Sequence, residues 1–264
     1  MKALVADRMR ALFAVLGLML ILFVALPLLR TATASSPGVL WQTLLDQEVR
    51  DSILLTFYTS LVATCVAFIS GVPLAYLLAR TDFPGKRLIE GIIDVPIVVP
   101  HSAAGIALLM VFGRRMLLGK AFGLLGIKFV SAVPGIVVVM LFVSLSFLVN
   151  AAREGFEAVD PRLERVARTL GASPWWAFWR ISFPLAWRSI LSGMILMWAR
   201  GLSEFGAVVI IAYHPMVAPV LLYERFESFG LRYSRPVATL MILICLVTFV
   251  VLRVTAGRER KKEV

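Results

Sequence analysis

The feature that most limits what this chain can become is a series of six apolar runs, at residues 11–29, 53–79, 92–113, 130–151, 190–213 and 237–252, with nearly all charge held between them. Crossing a hydrocarbon core about 30 Å thick takes about 20 residues of helix. Backbone groups inside lipid must satisfy one another, which leaves helices or a closed barrel, and unbroken runs of this length are helical. Hydrophobic residues make up 60% of the 264 and charged residues only 16%, too apolar a balance for a water-soluble domain. The expectation is an all-α polytopic membrane protein of six spans, a single domain over residues 1–264 in the cell membrane. The first run follows a short basic tail, Met1 to Arg10, as a signal peptide would. It is long, however, and Thr31 to Ser36 offers no convincing small-residue cleavage site, so it reads as a retained helix.

Six spans put both termini on one side, and the basic residues say which. The two tails with the 80–90 and 152–188 loops hold 17 Lys and Arg, against 9 in the opposite loops. Cytoplasmic loops carry the excess, so both termini and the 152–188 loop are expected in the cytoplasm. The net charge of +11 lies between and beyond the runs, where it anchors anionic headgroups rather than nucleic acid. The 114–128 loop departs from the pattern, with Arg114, Arg115, Lys120 and Lys128 and no acid. It suits either headgroups or the acidic surface of an extracellular protein.

Between the fourth and fifth runs lies the most informative stretch, Ala158 to Pro184 (AVDPRLERVARTLGASPWWAFWRISFP). Asp160-Pro161 starts a helix, with a carboxylate cap and a proline whose missing N–H costs nothing in the first turn. Leu163, Val166, Ala167 and Leu170 recur at helical spacing. Gly171 stands where a left-handed residue stops the helix. Ser173-Pro174 starts a second helix, carrying Trp175, Phe178 and Ile181, which Pro184 is expected to end. The product is a helical elbow. A helix-turn-helix for DNA has similar local geometry, but membrane runs on both sides are too close to let it reach a groove.

The elbow resembles the cytoplasmic coupling loop of ATP-binding-cassette (ABC) transporter permeases, roughly E-A-A, a glycine four residues later, then I-x-L-P. Here those positions are Arg165, Val166, Ala167, Gly171, and Ile181, Ser182, Phe183 and Pro184, with Arg165 and Phe183 departing from the family's Glu and Leu. The stretches DVPIVVPHSAAGIALLMVFG (Asp94 to Gly113) and WARGLSEFGAVVIIAYHPMVAPVLLYERFE (Trp198 to Glu227) are similar to molybdate/tungstate uptake permeases, the archaeal type above all. Sulfate/thiosulfate permeases share part of this pattern and are the alternative. The resemblance implies a homodimer, two separate ATPase subunits and one extracellular oxyanion-binding protein. It implies an ATPase-coupling role for Glu164, Arg165, Val166, Ala167, Leu170, Gly171, Ala172, Ser173, Pro174 and Pro184.

No phosphate-cradling glycine loop with Lys and Ser/Thr is present, so the chain cannot use ATP by itself and is expected to bind no cofactor. Nor is there a serine–histidine pair at useful spacing, a paired-carboxylate site or a metal-ligand cluster. Cys65 and Cys245 both fall inside apolar runs, and His101 and His214 are the only histidines. A membrane-embedded enzyme would need clustered His, Asp or Glu near one face. For a translocation pathway the candidates are Pro100, His101, Ser102, Arg200, Ser203 and Glu204. Prolines in the third run free backbone amides, tolerated at membrane depth only against protein or a wet cavity. Arg200 and Glu204, at i and i+4, are expected on one face of the fifth helix. They are either an ion pair holding a bend near Gly201 or a contact for a passing anion.

Overall fold

The computed structural model describes residues 2–258, with side chains described from 9 to 252. The basic stretch Arg253 to Lys262 and most of Met1 to Arg10 therefore lie outside the described side chains. The described residues form helices and connections, with no strand among them. In order they are α1 (Lys2–Ala32), α2 (Pro37–Leu45), α3 (Gln47–Arg80), α4 (Lys86–Val98), α5 (His101–Phe112), α6 (Leu117–Gly123) and α7 (Val133–Glu157). Then come α8 (Pro161–Thr169), α9 (Pro174–Ala177), a π turn (Phe178–Ser182), α10 (Phe183–Leu202), α11 (Val208–Ile211), α12 (Ala218–Phe229) and α13 (Leu231–Arg258). Among the described residues five helices are long and apolar enough to cross a membrane, and a sixth crossing is available if α4 and α5, bent by 118°, form one broken span.

Contacts divide the chain into two compact units. One holds Met1–Arg50 with Leu222–Val247, the other Asp51–Leu221 with Thr248–Val264. In the first, the large apolar side chains of α1 from Leu12 to Leu29 are exposed, as a lipid-facing helix requires. Thr239 Oγ1 donates to the Thr31 carbonyl at 3.0 Å, tying α13 to α1. Arg225 Nη2 donates to Asp46 Oδ2 at 2.7 Å and to Glu48 Oε2 at 3.0 Å. Partial burial would raise the Asp46 carboxyl, but this guanidinium outweighs it and holds the group below its ordinary range.

The second unit is built round α7. Its small residues let neighbouring backbones approach. A Cβ on Gly193 of α10 would come within 2.8 Å of the Ala151 Cβ and 3.1 Å of the Leu148 Cα, so the two helices touch almost bare. One apolar cluster, with Leu78, Leu148, Phe156, Phe178 and Ile190, lies beside the elbow. A second, with Leu108, Met140, Val208 and Ile211, packs around α5 and α11. Polar ties secure α4 to α7: Asn150 Nδ2 donates to Asp94 Oδ1 at 2.7 Å, and Arg153 pairs with Glu90 at 2.8 Å.

The third run is interrupted, as its prolines imply, but only at Val99 and Pro100. Pro100 has no N–H to donate into the turn before it, while Pro96 lies inside α4 and Gly105 inside α5. Two other expected boundaries differ. Pro184 does not end the elbow's second helix. It sits in the first turn of α10, where the π turn before it takes up the missing hydrogen bond, so helix runs from Pro174 to Leu202. The fifth run stops at Leu202 rather than at 213, and α11 is a separate short helix.

Candidate functional site

The candidate residues gather in two constellations, both in the second unit. The first is the elbow. Asp160 caps α8 by accepting from the Arg162 amide at 2.8 Å, and Pro161 occupies its first turn. Gly171 takes φ +93°. Ser173 caps α9, its Oγ accepting from the Trp176 amide at 3.1 Å. The local signals thus act where the sequence places them.

The apolar stripe on α8 is not buried by its own chain: Leu163, Val166 and Leu170 are 47%, 58% and 84% exposed. With Ala167, Gly171, Ala172, Ser173, Trp176 and Ile181 they line a groove of about 720 Å³ on the outside of the elbow. Arg165 and Pro174 are exposed, and Pro184 lies off the groove in α10. Glu164 turns the other way. Its Oε1 accepts from Ser182 Oγ at 2.5 Å and from Arg80 Nε at 2.7 Å, and its Oε2 accepts from the Tyr76 hydroxyl at 3.0 Å. Arg80 Nη2 also donates to the Val159 carbonyl at 2.9 Å. One carboxylate therefore joins α8, the π turn and the end of α3.

Partial burial would raise the Glu164 carboxyl, but hydrogen bonds from Ser182, Arg80 and Tyr76 and the charge of Arg80 outweigh it and hold the group below its ordinary 4.5. A depressed carboxyl stabilises the fold fully above its unfolded value and loses that contribution as pH falls through the folded one. Acidification below about 4.5 should therefore loosen the elbow first, read by fluorescence of Trp175, Trp176 and Trp179. Glu164→Gln should lose roughly 1–3 kcal/mol of elbow stability at neutral pH and abolish that acid transition. An unchanged transition in the variant would place its origin elsewhere.

The second constellation sits where α5 begins and α10 ends. Glu204 is 1% exposed. It is not on the face of α10, as i,i+4 spacing suggests, but beyond its end at Leu202, held because its Oε1 accepts from the Ala207 amide at 3.0 Å. Its Oε2 meets His101 Nδ1 at 2.7 Å and Arg200 Nη2 at 3.1 Å. Arg200 Nη2 also lies 2.9 Å from His101 Nδ1 and 2.8 Å from Nε2. Ser203 Oγ donates to the Arg200 carbonyl at 3.0 Å.

This gives the Ser203-Glu204-Phe205-Gly206-Ala207 stretch a physical account. The carboxylate needs the Ala207 N–H, and Gly206 makes room for the histidine, since a Cβ there would lie 2.9 Å from the His101 Cβ. Pro100, Ser102 and Ser203 are exposed round the cluster, while His101 and Arg200 are half-buried. All six sequence candidates thus gather at one place, although they come from two runs. Tyr76, Arg80 and Ser182 behind the elbow were not anticipated. An ionisable residue closing an apolar run, as Arg80 does, was the available signal. The Asp94–Asn150 and Glu90–Arg153 pairs hold α4 and touch neither constellation. Among the described residues no group of three or more His, Cys, Asp or Glu could hold a metal ion.

The family described as "Binding-protein-dependent transport system inner membrane component" matches residues 71–261. The molybdate/tungstate transport system permease protein WtpB of Thermococcus kodakarensis is 47% identical over 250 residues, covering 94% of this chain and 96% of the relative. A probable sulfate transport system permease protein of Chlorokybus atmophyticus is 35% identical over 78% of this chain and 73% of its own. A bacterial ABC transporter involved in import of the acidic polysaccharide alginate superposes with a TM-score of 0.75 over 96% of each chain, at 16% identity, which speaks for the fold alone. The chain belongs to the binding-protein-dependent transport system inner membrane component family: it is a multi-pass membrane permease subunit of a transport system, not an enzyme.

Proposed function

We propose that the chain is the translocation subunit of an ATP-driven importer for molybdate or tungstate. The observation that carries the substrate class is the 47% identity, over nearly the full length of both chains, to a permease named for those anions. The relative named for sulfate is more distant and matches less of the chain. As a permease of this family the chain carries no cofactor itself, and ATP is bound by a partner. Two copies, each a single permease domain, work with two ATPase subunits beneath them and one extracellular oxyanion-binding protein above. The rest of the surface contacts lipid.

The elbow supplies what such a subunit needs. It presents Leu163, Val166 and Leu170 to the ATPase as an apolar, ready-folded knob, while Glu164 links its back to α3. A change in the ATPase then reaches the membrane part through a rigid element rather than a loop. Both termini and the elbow lie in the cytoplasm, and the basic 114–128 loop faces the binding protein. The passage runs past Pro100, Ser102, Ser203 and the guanidinium of Arg200. One cation largely neutralised by one carboxylate attracts a dianion without trapping it.

The test is uptake by vesicles containing this chain, its ATPase and its binding protein. ATP-dependent accumulation of labelled molybdate or tungstate, with sulfate a poor competitor, is expected. Accumulation of sulfate in preference would assign the chain to the other anion. Reporter fusions at Ser35 should read as extracellular and at Ser173 as cytoplasmic, and the reverse pair would overturn the topology.

A further inference from the structure

A second groove, which neither constellation uses, lies between α3 and the elbow's second helix. Its volume is about 510 Å³, with Phe68, Val72 and Leu77 on one wall and Trp175, Phe178 and Trp179 on the other. The aromatic wall is braced ring on ring: Trp175 stacks on Phe178 at 6.1 Å and meets Trp179 edge-on at 5.6 Å. Trp175 is nevertheless 70% exposed and Trp179 is 43% exposed, so the chain itself leaves this wall uncovered.

The groove is continuous with the outward face of α3. Leu54, Leu61, Ile69 and Leu77 recur two helical turns apart and are all exposed, as the stripe that a membrane-crossing helix turns to lipid must be. Ile69 and Leu77 of that stripe line the groove. From Phe68 to Leu77 the helix rises about 14 Å, and α3 ends one turn later at Arg80. The hydrocarbon of one leaflet is about 15 Å deep. The groove therefore has the depth of a single lipid tail, and tryptophans sit where indoles collect, between hydrocarbon and headgroups. Near its polar end stands Arg168, close enough to the Tyr76 hydroxyl for its charge to act there. Arg168 is exposed and has no carboxylate partner among the described residues.

We propose that this groove binds one anionic membrane lipid, its hydrocarbon tail laid between α3 and the elbow and its headgroup beside Arg168. An ATPase would meet the elbow on its outer side, where Leu163 and Leu170 stand. The wall formed by Phe68 and Val72 lies at membrane depth, which a soluble subunit does not reach. A lipid held there packs the elbow against α3 where no side chain of the protein does.

The test is tryptophan quenching by phosphatidylglycerol brominated along its chains, titrated into the detergent-solubilised complex of permease and ATPase. Phosphatidylcholine with the same brominated chains is the comparison. Quenching should saturate, and at roughly fivefold lower concentration for phosphatidylglycerol, the scale of one basic residue beside an anionic lipid. Trp175→Phe with Trp179→Phe should remove the saturating phase. Arg168→Gln should keep that phase for both lipids but erase the fivefold difference. Leu77→Glu, which sets a charge in the apolar wall, should weaken both lipids alike. Should that variant fail to assemble, Arg168→Gln decides by itself, since it leaves the wall intact.

Quenching that rises without saturation, or equal titrations of the two lipids in the wild type, would mean bulk contact only and overturn the site. Absence of quenching would overturn it too, because something else then covers the groove. Its return on removal of the ATPase would name the ATPase as that cover, and its continued absence would name a second copy of this chain.

Discussion

Glu204→Gln alone should lower the stability of the assembled complex by about 3 kcal/mol, the scale for breaking a buried charge pair. Arg200 keeps its charge in a site where its side chain is only 24% exposed, and it loses the carboxylate 3.1 Å away. Glutamine can still accept from the Ala207 amide, so the turn after α10 should survive and the loss should be electrostatic. Adding Arg200→Met removes the stranded cation with a side chain of similar length, and most of the stability should return. Transport should not return with it. The double variant should assemble and hydrolyse ATP, yet its uptake of labelled molybdate should stay close to background, because the guanidinium facing the passage is gone. Thermal melting, ATP hydrolysis and uptake measured on one preparation decide this. Recovery of uptake together with stability would reduce the pair to a structural brace.

Features set by neighbours a few residues apart were legible in the sequence. Asp160-Pro161 and Ser173-Pro174 start helices because a cap and a first-turn proline act within three positions, and Gly171 takes a positive φ because little else can. Hydropathy counted the spans well, since the rule behind it concerns only length and apolarity. It failed where a side chain from elsewhere decides the path. The run from Arg200 to Tyr213 is apolar enough to continue a helix, but Glu204 captures the Ala207 amide and meets His101, 103 positions away. Pro184 was misread because its cost depends on the turn before it, and a π turn removes that cost. Pro96 and Pro100 announced a break, but its 118° is set by packing of α4 on α7 and α5 on α11. Glu164 stands in a motif, while its partner Arg80 lies 84 positions away and is marked only by its place at the end of an apolar run.

Gly171→Val should leave membrane insertion intact and nearly abolish coupling to the ATPase. The glycine holds φ +93°, and a Cβ built there meets nothing within 4 Å, so the penalty comes from the backbone and not from crowding. A left-handed conformation costs an ordinary residue about 1–2 kcal/mol, and a β-branched one is a genuine outlier there. The elbow can relieve this locally by reopening the turn between α8 and α9. Ser173 then no longer presents its hydroxyl to the Trp176 amide, and the groove lined by Leu163, Val166 and Leu170 loses its shape. The helices behind it are held independently by the Phe156, Phe178 and Ile190 cluster and should not move. Co-purification of the ATPase should fall steeply and uptake with it, while the melting temperature of the permease alone stays near wild type. Gly171→Asn separates conformation from any effect of bulk, because asparagine tolerates left-handed φ. It should retain much of the ATPase and of the transport. If valine and asparagine impair coupling equally, added volume in the groove is the cause. Should the valine variant keep its ATPase and transport normally, the elbow is not the element through which ATP hydrolysis drives the passage.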